Sequence, residues 1–243
     1  MDILDIASPI TYSKKLVIFF DVMGWKSHVW AAGSDPAKEG HLALLPRLLK
    51  SSNILQAAAS GEARITSFSD CCVISVPFDQ ATLANVIYGL SSVFLGAALS
   101  GFLLRAGVTV GEIHHEQDIV FGPALNAAHD LESKGRYPRI ILDKGVPDLT
   151  NLQLLEGMLG NDEHGTFVDP YALQYVKSDY LKKESLPDGT FMSIPTSKAI
   201  EIYTVLLLRL EDMLAKAENE KPKDQVNWLY TRVRRQHKSI LGG

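Results

Sequence analysis

The sequence predicts an α+β fold: an antiparallel sheet carrying helices, followed by a helical elaboration towards the C-terminal end. Three observations predict it. Four runs rich in β-branched and aromatic residues, at 15–22, 63–68, 71–77 and 103–111, are too short for buried helices. Between them lie longer stretches whose apolar residues recur three and four apart, in the order strand, helix, strand, strand, helix, strand. Beyond about residue 195, two further stretches with helical spacing close the chain.

Residues 15–22 (KLVIFFDV) form a continuous apolar run ending in Asp21, which predicts a strand buried on both faces. Gly24 and Trp25 then turn the chain. Leu42, Leu45, Leu48, Leu49 and Leu55 recur at helical spacing across 36–56, a helix made irregular by Pro46. Segments 63–68 and 71–77 read as a hairpin around Ser69-Asp70. Val86, Ile87, Leu90, Val93, Phe94 and Ala97 mark one face of a second helix over 81–101. Residues 103–111 (LLRAGVTVG) give a further strand, completing the βαββαβ order of the ferredoxin-like, split βαβ arrangement. Pro123 suits the first turn of a short helix over 122–132, and 139–142 (RIIL) adds a strand. Further on, 161–165 reads as a polar loop and 185–195 as turn-rich. A helix is expected over 199–216, a charged break at 218–224, and a basic last helix over 226–239 with a solvated face. The natural division is a core at 1–145 and an elaboration at 146–243 packed on it.

The chain has 243 residues, enough for a sizeable core, and 46% hydrophobic with 21% charged residues excludes a disordered chain. A net charge of −4 supplies no basic field for nucleic acid. The apolar run at 91–104 falls short of a membrane span of about 20 residues, and 1–9 carries acidic residues where a signal peptide is basic. A cytoplasmic protein without membrane or nucleic-acid partners is expected. The vicinal Cys71 and Cys72 read as reduced strand residues. His114 and His115, with Glu116 and Asp118, sit on a hairpin-like stretch that points them apart, so no metal cluster is expected there. Trp25 and Trp30 read as core or lid residues.

Two aspartates stand out by position. Asp21 ends an apolar strand, and Asp70 lies in the turn of the hairpin expected beside it. Carboxylates at such strand ends need partners, and a shared divalent cation would serve both. Capping of the two turns accounts for the same spacing.

At these residues a resemblance enters. Phe20-Asp21-Val22-Met23-Gly24-Trp25, Ile65-Thr66-Ser67-Phe68-Ser69-Asp70, Leu104 to Glu112 (LRAGVTVGE) and Phe121-Gly122-Pro123-Ala124-Leu125-Asn126 resemble, in order, the first-aspartate motif, the second-aspartate hairpin, the L-R-x-G-I-x-x-G strand and the Y-G-x-x-V-N helix start of class III nucleotidyl cyclases. The resemblance implies that Asp21 and Asp70, with the backbone carbonyl of Val22, hold two Mn²⁺ or Mg²⁺ ions. It implies that Arg105 contacts phosphate, that Asn126 orients the ribose or transition state, and that Val22, Thr66 and Ile119 border the substrate. Thr66 and Ile119 stand where purine cyclases carry polar base readers. Asp130 stands where the family has a transition-state Arg, leaving His129, Lys134, Arg136 and Arg139 as nearby cations.

The stretch from Gly122 to Ser133 (GPALNAAHDLES) with Tyr137-Pro138-Arg139-Ile140, and more loosely Asn227-Trp228-Leu229-Tyr230, is similar to the pyrimidine cyclases of bacterial Pycsar anti-phage systems. This implies a homodimer with composite sites that converts UTP, or as the lesser alternative CTP, to its cyclic monophosphate, which a separate effector protein reads. A purine cyclase and a catalytically inactive nucleotide-sensing domain are the alternatives.

Overall fold

The computed structural model describes residues 11–33, 42–43, 47, 63–146, 155, 157–172 and 196–242. The expected helix at 36–56 and the turn-rich 185–195 lie almost wholly outside them. In chain order the elements are β1 (Ser13–Val22), α1 (Trp25–Ala32), β2 (Arg64–Phe68), β3 (Cys71–Pro77), α2 (Gln80–Leu99), β4 (Leu104–Glu116), β5 (Ile119–Phe121), α3 (Pro123–Lys134), β6 (Ile140–Leu142), β7 (Leu159–Asp162), β8 (Gly165–Val168), α4 (Thr196–Lys216) and α5 (Glu220–Ile240).

The result is a mixed α+β structure around one eight-stranded sheet of order β2-β3-β1-β4-β6-β8-β7, with β5 paired to β4. The neighbours β2/β3, β3/β1 and β1/β4 are antiparallel, but β6 runs parallel to β4, so the expectation of a wholly antiparallel sheet is corrected. Four local readings also change. Trp25 begins a helix where only a turn was expected. β4 continues five residues past Gly111 and takes in His114 and His115. The polar stretch 161–165 belongs to the β7/β8 hairpin, and the charged break contracts because α5 starts at Glu220.

β1 explains the layering. Leu16, Ile18, Phe20 and Val22 are fully or almost fully buried on one face, in a cluster with Leu83, Ile87, Leu90 and Phe94 of α2 and with Tyr203, Leu206 and Leu229 of α4 and α5. Val17 and Phe19 point to the opposite face, in a smaller cluster with Val73, Ile113, Ala124 and Ala128. Alternate residues of one strand thus feed two helix layers, which is why no polar alternation appears in its sequence. α2 is capped by Asp79, whose carboxylate accepts from the Thr82 amide at 2.8 Å. Its window Thr82–Leu99 is apolar and long enough to cross a membrane, yet 67% of that window is buried inside the fold.

On the second face α3 lies unusually close to β4. A Cβ at Gly107 would fall on the Ala128 carbonyl oxygen and within 2.7 Å of the Glu132 amide nitrogen. Only a residue without a side chain lets the helix axis come this near. The last turn of β4 folds across the same face, because His115 reaches Ser75 of β3 and Thr66 of β2.

The C-terminal helices grip the sheet edge through cations stacked on rings. Arg139, fully buried, lies 4.4 Å from the Phe167 centroid and 5.6 Å from those of Tyr137 and Trp228, and it ion-pairs with Asp162. Arg232 on α5 pairs with Asp169 at 2.8 Å and stacks on Trp228 at 4.7 Å. The basic face expected to be solvated is therefore partly engaged.

Gly107→Ala should cost about 3 kcal/mol through forced displacement of α3. Gly111→Ala, whose Cβ would meet the Ala124 Cβ at 3.2 Å, should cost a small fraction of that. Urea denaturation of both variants decides the matter, and equal losses would show that the close approach at 107 is not what limits the packing.

Candidate functional site

Asp21 and Asp70 are brought together by strand pairing. Asp21 stands opposite Cys71 in the β1/β3 register, and the Val22 amide donates to the Asp70 carbonyl at 3.1 Å, tying the hairpin turn to the end of β1. Ser69 takes φ 55° to make that turn. One ligand atom from each of Asp21, Asp70 and Cys71 lies within 4.8 Å of the others, and all three residues are half-buried. The Cys71 thiol lies 3.9 Å from the Asp21 carboxylate and 3.8 Å from that of Asp70. Both cysteines are free thiols.

Arg105 completes the cluster from β4, opposite Asp21 in the β1/β4 register. Its Nη2 donates to Asp21 at 3.2 Å, and its Nε contacts the Glu132 carboxylate. Glu132 comes from the buried side of α3, in line with Ala124 and Ala128 at successive i+4 steps, and is only 2% exposed. Two carboxylates, Asp21 and Glu132, thus share one guanidinium, and a third, Asp70, lies beside Asp21. The imbalance shows in the titration. Burial, then the Glu132 charge, and more weakly Asp70, push Asp21 up to about 6, although Arg105 pulls the other way. Burial also raises Glu132 above its ordinary range, with Arg105 opposing. Burial and the same carboxylates push the Cys71 thiol up to about 12, so it stays protonated.

The remaining expected positions lie along the same face. Thr66 is half-buried, its Oγ1 2.9 Å from His115 Nε2 and 3.3 Å from the Gln117 carbonyl. Ile119 is 62% exposed at the start of β5. Asn126 is exposed and sits two residues beyond the inward-facing Ala124, about 200° round the helix and turned from the sheet. Val22 is buried at the strand end. Asp130 is exposed, 3.8 Å from His129. Of the nearby cations, Arg139 is sealed inside the ring stack and Arg136 is paired with Asp224 at 2.8 Å.

Glu132, Cys71 and His115 were assigned no role by the sequence reading. Glu132 could have been found as an acid on an otherwise Ala-lined helix stripe, and Cys71 from its position beside Asp70. Nothing local marks His115, because its partners lie 40 and 49 residues away.

No family model matches the chain, and no curated protein matches it. Among solved structures, the crystal structure of the guanylyl cyclase Cya2 overlaps it with a TM-score of 0.42 at 13% identity, over 64% of this chain and 84% of that one.

The raised Asp21 pKa has a defined consequence for stability. Below about pH 4 the residue is protonated in both folded and unfolded chains. As the pH rises to 6 and beyond, the unfolded chain gives up its proton first, so the metal-free fold loses stability. Asp21→Asn does not titrate. In EDTA its melting temperature should therefore gain on the unaltered protein as the pH climbs from 4 to 7. A gap that is constant or shrinks over that window would contradict the assignment.

Proposed function

We propose that the chain is a nucleotidyl cyclase that closes a nucleoside triphosphate, UTP before CTP, to the 3′,5′-cyclic monophosphate with release of pyrophosphate. The observation that carries the reading is the convergence of Asp21 and Asp70 at one end of the sheet, in a cluster that holds three carboxylates and one guanidinium. Hard oxygen donors with excess negative charge suit Mn²⁺ or Mg²⁺. The residues present fit such ions, with Asp21, Asp70 and the Val22 carbonyl as their holders. When bound, the ions would supply Lewis acidity towards the 3′-hydroxyl and charge neutralisation for the phosphates.

The chain's own residues do the rest. The 3′-oxygen attacks the α-phosphorus, the bond to the bridging oxygen breaks, and pyrophosphate leaves with its electron pair while the hydroxyl proton passes to solvent. Arg105 is fixed by Asp21 and Glu132 on two of its nitrogens. Its Nη1, without a partner among the described residues, is left for a phosphate oxygen. Asn126, facing away from the site of its own chain, would serve the site of a second copy, so the active form is a homodimer with composite sites. In this reading residues 1–145 are the catalytic core and 146–243 its elaboration. The enzyme is cytoplasmic, and the cyclic pyrimidine nucleotide is a messenger in anti-phage defence read by a separate effector. The segment from Gly122 to Ser133 supports that last step by its resemblance to Pycsar cyclases.

Two observations favour a second reading, a catalytically silent nucleotide sensor. Asp130, exposed beside His129, stands where the resemblance expects a transition-state Arg, and Arg139 is withdrawn into the protein.

With Mn²⁺ and equimolar UTP, CTP, ATP and GTP, mass spectrometry should find cyclic UMP dominant. Dominant cyclic AMP or cyclic GMP would overturn the pyrimidine assignment, and absence of any product would favour the sensor. Asp21→Asn and Asp70→Asn should each lower turnover by about 10²-fold or more. Mixing Asp70→Asn with Asn126→Ala should restore roughly a quarter of the activity, because half of the randomly paired dimers then hold one complete site. An active monomer by light scattering would refute the composite site.

A further inference from the structure

The Cys71 thiol has no task in the reaction proposed above, yet it is a third donor atom at the two aspartates. Cys71 directly follows Asp70 and pairs with Asp21 across the β1/β3 ladder, so its side chain shares the α3 face with Asp21. Asp21 divides its oxygens. Its Oδ2 takes Arg105 Nη2 at 3.2 Å, while its Oδ1 lies 3.9 Å from Cys71 Sγ. Asp70 Oδ1 lies 3.8 Å from the same sulfur. A thiol has one proton and gives it to one of these oxygens at a time, so hydrogen bonding alone does not select two nearly equal spacings. The edge of a metal polyhedron does. With sulfur about 2.3 Å and oxygen about 2.1 Å from a metal, a tetrahedral angle sets sulfur about 3.6 Å from oxygen, whereas an octahedral right angle sets it about 3.1 Å away. The spacings at Cys71 lie on the tetrahedral side.

We propose that Cys71 is a metal ligand together with Asp21 and Asp70, and that this set of two oxygens and one sulfur takes a thiophilic divalent cation of the zinc and cobalt kind in preference to magnesium. The proposal rests on the reading of the two aspartates as metal ligands, and it departs from the all-oxygen set that the resemblance implies. On coordination the metal takes the place of the thiol proton, which passes to solvent, and the sulfur gives the metal an electron pair. A thiolate is a soft donor, which zinc and cobalt accept and magnesium avoids, so the sulfur ranks the ions that compete for the site. Cys72 cannot stand in for Cys71. It is 2% exposed and belongs to the apolar cluster on the opposite face of the sheet, with Leu83 and Ile87 of α2. The chain has no other cysteine, so a thiolate–metal signal has one source.

Cobalt is the probe, because thiolate coordination to Co²⁺ adds a strong near-ultraviolet charge-transfer absorption that oxygen ligands do not. The full chain, reduced and stripped of metal, is titrated with Co²⁺ while calorimetry follows binding, and the constants for Zn²⁺ and Mg²⁺ come from competition. The band should grow with bound cobalt and vanish in Cys71→Ser. The same substitution should weaken Zn²⁺ binding about a hundredfold and Mg²⁺ binding less than about threefold. Cobalt bound by the unaltered protein without the band overturns the proposal, needs no variant, and leaves the two-aspartate site and the cyclase reading intact. A band that survives Cys71→Ser overturns it as well, and so do equal losses of Zn²⁺ and Mg²⁺ affinity in a variant whose circular dichroism is unchanged. The band together with no cyclic product from Mn²⁺ and the four triphosphates would sink the cyclase reading and leave this one standing. Failure to bind any of the three ions would sink both.

Discussion

Because α3 approaches β4 so closely that the Ala128 carbonyl occupies the space a side chain at 107 would need, the helix can carry an acid into the sheet itself. Glu132 arrives one turn beyond Ala128 and meets Arg105, which in turn holds Asp21. One guanidinium thereby joins α3, β4 and β1. Burying Glu132 alone would be prohibitive, and pairing it with a side chain that also serves Asp21 spreads the desolvation cost over three charges. Removing the guanidinium would leave two carboxylates uncompensated at the same place, so the cluster stands or falls as a unit.

That unit is not neutral, and the residual negative charge has direction. Arg105 is held from beneath by Glu132 and from the side by Asp21, while Asp70 and the Cys71 thiol have no cation of their own in the cluster. Burial first, and the Glu132 and Asp70 charges after it, raise the Asp21 pKa against the pull of Arg105. The cluster is thus kept together at a cost to stability at neutral pH. The protonated thiol of Cys71 adds no charge and offers its weak donor to both carboxylates, holding them near one another.

What could be read from sequence followed the range of the interactions. β1, the β2/β3 hairpin and α2 were legible because their signals are local: an apolar run, a two-residue turn, and a helical period. The placement of Asp21 beside Asp70 followed from those elements. The β7/β8 hairpin was not legible, because Asn161, Asp162 and Gly165 read as loop formers and are made strands by pairing, Asn161 with Thr166 and Asp162 with Gly165, at the sheet edge. α1 was missed since Gly24 and Trp25 look like a turn, and the left-handed Gly24 does turn the chain, directly into a helix. The parallel β4/β6 pairing depends on the path of α3 over the sheet, which no single segment encodes.

The two faces of the sheet also divide the work. On the α2 face, α2, α4 and α5 seal the even positions of β1 into a continuous apolar cluster. On the other face α3 packs chiefly on β4 and β1, and the end of β4 reaches over towards β2, so that His129 on Phe19, the Asp21 cluster and His115 share this face. The C-terminal helices reach this cluster only indirectly. Gln225 donates to the Arg136 carbonyl at 2.8 Å and Asp224 pairs with Arg136, just beyond the end of α3. α5 thus holds the residue just beyond the end of α3, the helix that carries Glu132. A change at the α5 start would act on Arg105 and Asp21 through that helix, with no contact to either.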